Sequence, residues 1–425
     1  MDYSCEKNVL DNGLRVLTVP NESTSVATCL LLFGTGSRHE AEKFAGISHV
    51  LEHMFFKGTK KFPTATLLAK HIDSLGGDFN AFTSKEYTGY YIKLRAENAI
   101  LGVQYLVELL SNPLFISEEL DREREVILQE YDMYEDMPSE VVASRFEQVM
   151  FCDDALGRDT IGTKTAIRAI SSEDLFDYKK THYNFKNAVF VLSGNIGKQR
   201  SDLIKYIEDN LILGHESIKK TEKCRDQDKK VISFVTKPIE QSHLMIGFRA
   251  AGYDNEDRFI LKFISVLLGG SMSSRMFSEV REKNGLAYTI RSSFGSYRET
   301  GVFDTVAGVA DQNLEKATAL ILQEYRRIST ELVTAEEMKI ALEIISSKLA
   351  ISFEDSENVA NYFAMNELMA GDGLSPEAIL KKYQKITASD ILETTKKYFL
   401  PERLTVSVVT KKSDDSDIKK IIMDF

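Results

Sequence analysis

An α+β protein of two homologous domains, each a mostly antiparallel sheet packed by helices and related by internal duplication, is predicted from three observations. The chain has 425 residues, beyond the roughly 250–300 at which a single core stops growing. Strand-like and helix-like runs occur in the same order on either side of a polar, charged segment at 214–230. Short likenesses recur at an offset of 216: Ile170-Ser171 with Ile386-Thr387, Asp174 with Asp390, and Leu175 with Ile391. The expected domains are therefore 1–213 and 231–425, joined by the linker 214–230.

The elements follow in order. Asn12-Gly13 favours a tight turn before the β-rich run 14–19, and 26–33 is a second strand. Helical spacing governs 45–56, 64–75, 96–110 and 117–134, with a strand-like run at 87–94 among them. The first half closes with a strand at 188–192. Beyond the linker come strands at 231–235 and 243–248, a helix at 257–268, strands at 287–296 and 301–309, two long helices, and a strand at 404–408. At an offset of 217, Ile47-Ser48 pairs with Ile264-Ser265, which sets Val266, Gly269 and Gly270 opposite His49, Glu52 and His53. Only the first copy can bind a metal there.

Composition narrows the function. Apolar residues make up 43% and charged residues 28%, with 24 Gly and 7 Pro, the balance of a compact globular protein. A net charge of −11 without any Lys/Arg-rich stripe argues against nucleic acid and favours a peptide or a cation as partner. Cys5, Cys29, Cys152 and Cys224 are far apart and form no CxxC pair, so neither a thiolate metal site nor a disulfide framework is expected. Apolar windows such as 30–33 and 261–268 fall short of the roughly 18 residues needed to span a bilayer, so no membrane is expected. No signal or transit peptide is visible, which favours a cytoplasmic protein of bacterial type.

The chemistry concentrates in ISHVLEHMFF. His49 and His53 are four apart, so on a helix their imidazoles stack on one face at a separation that can share one ion. Glu52 lies beside them, and Val50, Leu51, Met54 and Phe55 imply that the helix is largely buried. The order H-x-x-E-H reverses the common H-E-x-x-H but keeps its mechanics: two histidine ligands and a carboxylate beside the metal-activated water. A catalytic zinc needs a third ligand. Glu123 and Glu130 share a face of the helix at 117–134, but Glu125, Asp132 and Glu135 are rivals, and spacing does not choose among them.

At this point the chain resembles the pitrilysin, insulin-degrading enzyme and mitochondrial processing peptidase superfamily. Its hallmark is the inverted motif followed by a glutamate at the distance that separates His53 from Glu130, 77 residues. The words GTGSRHE, GISHVLEHMFFKGT, GGDFNAFTSKEYTGYY, EREVILQE and VREKNGLAYTI carry the likeness through both halves. The resemblance implies a zinc metalloendopeptidase with one Zn2+ per chain held by His49, His53 and Glu130. It makes Glu52 the general base and Glu123 a partner of a ligand histidine. It implies that Asn80, Ala81 and Phe82 form a sheet edge on which a peptide lies as an added strand; by residue type alone, Asn80 reads as a turn residue and Phe82 as a core aromatic. It matches Arg281 and Tyr288 to a substrate-binding, oxyanion-stabilising pair. A two-domain member is half of a chamber, so a homodimer with Arg281 and Tyr288 acting in trans is expected, on substrates that are unfolded or presequence-like peptides. The competing reading is a non-catalytic core or substrate-holding subunit of a processing or respiratory-type complex. LLGGSMSSRMF, at 267–277, resembles the superfamily's Gly-rich loop, to which the resemblance assigns substrate handling.

Overall fold

The computed structural model describes residues 4–152, 154–215, 224–371 and 373–425. Packing groups the chain into two units. The first is Met1–Tyr131, Arg158–Glu222 and Leu349–Ala378; the second is Asp132–Gly157, Lys223–Lys348 and Ile379–Phe425.

The first unit is built on a six-stranded sheet of β1 (Glu6–Val9), β2 (Arg15–Pro20), β3 (Val26–Phe33), β4 (Asp78–Thr83), β5 (Thr88–Arg95) and β6 (Ala188–Gly194). Their spatial order is β1-β2-β6-β3-β5-β4, and all neighbours are antiparallel except β2 and β6. The run VATCLLLF makes β3 the central strand because both its faces are covered, so it has no polar side to alternate with. Ala27, Cys29, Leu31 and Phe33 join the main core with side chains of α1 (Ile47–Phe55) and α3 (Ala99–Ser111). The alternate residue Thr28 faces the other way, where its hydroxyl meets Ser356 Oγ at 2.8 Å on the helix Ser356–Met365. Helices α2 (Ala65–Leu75) and α4 (Ser117–Asp136) complete the part of the unit that matters for function, with Leu68, Ile72, Leu120 and Ile127 in the same core.

The second unit repeats the plan. Strands β7 (Val231–Thr236), β8 (Ser242–Ala250), β9 (Ala287–Ser296), β10 (Gly301–Val309) and β11 (Leu404–Thr410) lie in the order β7-β11-β8-β10-β9. Only β7 and β11 are parallel. Set beside β2-β6-β3-β5-β4, the order and every strand direction agree, which is the duplication expected from the sequence. The likeness at offset 216 also has a physical cause. Ser171 with Asp174, and Thr387 with Asp390, are reciprocal capping boxes that start the helices Ser172–His182 and Ala388–Tyr398. In each, the hydroxyl accepts from the N–H of the aspartate three residues on, while that carboxylate accepts from the N–H of the capping residue, so both copies retain the same cap.

The units do not follow the cut 1–213 and 231–425. Helix Ser356–Met365, from the second half of the chain, packs on β3 and β6, whereas α5 (Pro138–Met150), from the first half, packs on the equivalent strands β8 and β11. Both helices bury apolar stripes, Val359, Ala360 and Phe363 in one and Val141, Val142 and Phe146 in the other. Such stripes show that a helix needs a sheet without saying which sheet. Of the linker 214–230, residues 216–223 lie outside the described residues, and 224–230 form no helix or strand. Among the described residues, no helix is long and apolar enough to cross a membrane.

Candidate metal centre

The metal-centre candidates sit on α1, and the start of that helix is fixed by residues remote in sequence. Its N-cap is Gly46, with φ 98°, and a Cβ there would come within 2.4 Å of the Ile161 carbonyl oxygen. Glycine is thus required on both counts, conformation and space. Two of the N–H groups left unpaired at the helix start are met by Glu40, whose carboxylate accepts from Gly46 N at 2.7 Å and from Ser48 N at 2.8 Å. Ser48 Oγ lies 2.8 Å from Tyr178 OH, and Arg38 pairs with Glu86 at 2.6 Å with both side chains buried. These contacts explain why GTGSRHE precedes the motif: it builds the seat of α1.

Burial pushes the Glu40 carboxyl up to about 7, against the pull of the Gly46 and Ser48 N–H groups. A raised folded-state value means that the proton is held more tightly folded than unfolded, so this group's contribution to stability is fullest below about pH 4.5 and is lost as pH rises to about 7. The stability advantage of the wild type over Glu40→Gln is therefore expected to shrink by on the order of 2–3 kcal/mol across that window. Urea denaturation in the presence of a chelator measures it. A constant difference would contradict the assignment.

From this seat α1 buries Ile47, Val50, Leu51, Met54 and Phe55 and turns His49, Glu52 and His53 to the opposite side. The two Nε2 atoms are 3.3 Å apart, and Glu130 Oε2, brought in by α4, is 3.7 Å from His49 Nε2 and 3.5 Å from His53 Nε2. Four ligand atoms in a tetrahedron with bonds of roughly 2.0–2.2 Å are separated by about 3.3–3.6 Å. The trio thus fits zinc in both donor chemistry and spacing. Among the described residues, no other trio of His, Cys, Asp or Glu meets the same geometric test.

The helix spacing of seven that puts Glu123 and Glu130 on one face resolves here into two different positions. Glu123 Oε1 bonds His53 Nδ1 at 2.8 Å, so it orients the ring from behind while Glu130 faces the front. His49 has no such support: its Nδ1 is buried without a hydrogen-bond partner. The two imidazoles differ electrostatically as a result. Burial, reinforced by the neighbouring His53, pulls His49 down to about 4. Burial also acts on His53, but the hydrogen bonds to Glu123 and Glu130 outweigh it and raise the ring to about 9. The Glu52 carboxyl is raised by burial, opposed by a hydrogen bond from Thr83 Oγ1 to its Oε2.

Thr83 ends β4, whose outer side is the unpaired edge of the sheet. Asn80 is exposed there, Ala81 buried and Phe82 half-buried. Phe82 pairs in register with Gly89, and a Cβ at Gly89 would lie 2.2 Å from the phenyl ring, so the glycine makes room for the aromatic. A strand edge therefore runs to a residue that touches Glu52. Thr83, Glu40 and Lys57, which bonds Glu123, all fall inside the words GGDFNAFTSKEYTGYY, GTGSRHE and GISHVLEHMFFKGT, but no spacing rule singles them out.

Comparison with known proteins bears on this geometry. Residues 15–164 match the family described as Insulinase (Peptidase family M16), and residues 169–345 match the Peptidase M16 inactive domain. A Rickettsia bellii protein described as an uncharacterized zinc protease is 34% identical over 394 residues, 92% of this chain and 94% of its own. The chain belongs to peptidase family M16. A Bacillus subtilis protein described as the uncharacterized zinc protease YmxG is 31% identical over 386 residues, 90% of this chain and 92% of its own. The crystal structure of a protease from Helicobacter pylori superposes with a TM-score of 0.89 at 25% identity, covering 96% of this chain and 99% of that one.

In this M16 chain the second unit carries Arg281 and Tyr288. Arg281 Nη1 donates to the Tyr288 carbonyl oxygen at 2.5 Å, and its guanidinium lies over the Phe277 and Tyr288 rings, 4.8 and 5.5 Å from their centroids. Tyr288 is 76% exposed at the start of β9, the edge strand of its sheet. So large an exposed aromatic, held by a cation, leaves its phenol accessible to a ligand. The helix Asp257–Gly269 follows β8 as α1 follows β3, and it ends with Gly269-Gly270 at the positions opposite Glu52 and His53.

Proposed function

We propose that the chain is a zinc metalloendopeptidase that cleaves unfolded or presequence-like peptides. The observation that carries this reading is the trio His49, His53 and Glu130 at tetrahedral separations, with Glu52 alongside. In this reading the three residues hold one Zn2+ per chain, and zinc supplies Lewis acidity, acidifying a water and polarising the scissile carbonyl.

The protein residues do the rest. A substrate strand adds to the outer edge of β4 along Asn80, Ala81 and Phe82, with main-chain hydrogen bonds giving affinity without strong sequence preference. Glu52, desolvated and bonded to Thr83, takes the proton from the attacking water and delivers it to the departing amine. Tyr288 and Arg281 are donors whose bonds strengthen as negative charge grows on the carbonyl oxygen. They act from the partner subunit of a homodimer, so that each active site draws on two chains. We place the enzyme in a bacterial-type cytoplasm; the relatives described as zinc proteases come from bacteria.

Metal analysis with activity on a quenched, unstructured peptide tests the reading. The expected result is about one zinc per chain, loss of cleavage on chelation and recovery on adding zinc. Zinc-loaded protein with no cleavage of a broad peptide mixture would instead support a substrate-holding subunit. Cleavage that persists without metal would rule out the mechanism.

A further inference from the structure

Lys57 closes a chain of contacts that begins at the metal trio. It follows His53 by four residues, just past the end of α1, where its N–H lies 3.2 Å from the Met54 carbonyl oxygen. Its Nζ reaches Oε2 of Glu123 at 2.5 Å, while Oε1 of the same carboxylate is 2.8 Å from His53 Nδ1. The Glu123 side chain is 9% exposed and that of Lys57 25%. Both carboxylate oxygens are therefore engaged, one by an imidazole and the other by an ammonium.

A carboxylate held through one oxygen still turns about its terminal bond, whereas one held through both has its plane fixed. An ionised carboxylate only accepts, so His53 must present a hydrogen at Nδ1; in the neutral ring that a metal requires, the lone pair then lies on Nε2, directed at the trio. Without the ammonium, a nearly buried oxygen of Glu123 would lack a partner. The cost of that is relieved by turning the carboxyl group away from His53 or by neutralising it. Either response loosens the ring.

We propose that Lys57 is a positioning residue of the metal centre: by holding one oxygen of Glu123 it keeps the other on His53, and so keeps His53 Nε2 aimed at the ion. The inference rests on the reading that His49, His53 and Glu130 hold zinc. The Lys57 ammonium pairs with Glu123, which itself bonds the ligand histidine. Its influence passes wholly through Glu123, which makes it separable from a general contribution to folding.

The test is zinc affinity by competition with a fluorescent chelator, measured on the full chain. The proteins are the wild type, Lys57→Met, Lys57→Arg, Glu123→Gln and the double variant Lys57→Met/Glu123→Gln. Removing the direct partner of a ligand histidine typically costs about 10- to 100-fold in affinity, so Glu123→Gln should fall in that range and Lys57→Met should lose roughly 3- to 10-fold. In the Glu123→Gln background the same lysine change should cost less than about twofold, and Lys57→Arg should restore most of the loss. Any fall in the melting temperature of the metal-free protein should be similar for Lys57→Met and Glu123→Gln, and so should not follow the difference in their zinc affinities. Unchanged zinc affinity in Lys57→Met, or an equal loss with and without Glu123, would overturn the role given to Lys57 while leaving the metal site intact. A wild type that takes up no zinc would overturn the metal site itself, and the role of Lys57 with it.

Discussion

Glu52→Gln should abolish peptide hydrolysis while leaving zinc content unchanged. The substitution keeps the size of the side chain, and the Gln carbonyl oxygen can still accept from Thr83. It removes the capacity to take up a proton, which the proposed mechanism uses twice, once on attack and once on release of the amine. General acid–base assistance is worth roughly 10²- to 10⁴-fold for a single transfer, so kcat should drop by about 10³ or more. Because the three separations that fit zinc run among His49, His53 and Glu130, affinity for the metal should change by no more than a few-fold. Metal analysis and steady-state cleavage on one preparation separate the two effects. Turnover within tenfold of the wild type would remove Glu52 from the role.

Mixing two dead variants should restore activity. Tyr288→Phe deletes one donor to the developing oxyanion, a loss of the order of 10²- to 10³-fold in comparable sites. If Tyr288 serves the partner's zinc site, a dimer of one Glu52→Gln subunit and one Tyr288→Phe subunit has one damaged site and one intact site. The intact site pairs the unaltered Glu52 of one chain with the unaltered Tyr288 of the other. Random reassociation of equal amounts makes half the dimers mixed, and the mixture should regain about a quarter of wild-type activity. If each chain completes its own site, no recovery is possible at any ratio. Native mass spectrometry with one variant isotope-labelled checks that mixed dimers have formed.

Much of the fold was legible because strands and helices carry different periodicities. The β3, β9 and β10 runs coincide with the expected 26–33, 287–296 and 301–309. β1, only four residues of EKNV, offers no apolar alternation by which a strand could be recognised. The metal helix announced itself through His49, Glu52 and His53, since imidazoles and a carboxylate amid Val50, Leu51, Met54 and Phe55 need a reason to be there. Glu130 was different. Within an acidic helix, spacing leaves several candidates; the resemblance names Glu130 and Glu123, and the tertiary placement of α4 sets Glu130 in front of the two rings and Glu123 behind one of them. Thr83, Glu40 and Lys57 were not legible at all. Their contacts join segments 31, 8 and 66 residues apart, and nothing local to a threonine, a glutamate or a lysine encodes such a partner.

The reciprocal lodging of Ser356–Met365 on β3 and β6, and of α5 on β8 and β11, bears on heredity. An ancestral repeat that covered its own sheet could be copied, lost or shuffled freely. Once each copy had surrendered a helix to the other, any genetic event that separated them would leave two naked apolar faces. Thereafter the halves could diverge in chemistry, one keeping His49 and His53 where the other holds Val266 and Gly270, but they could no longer part.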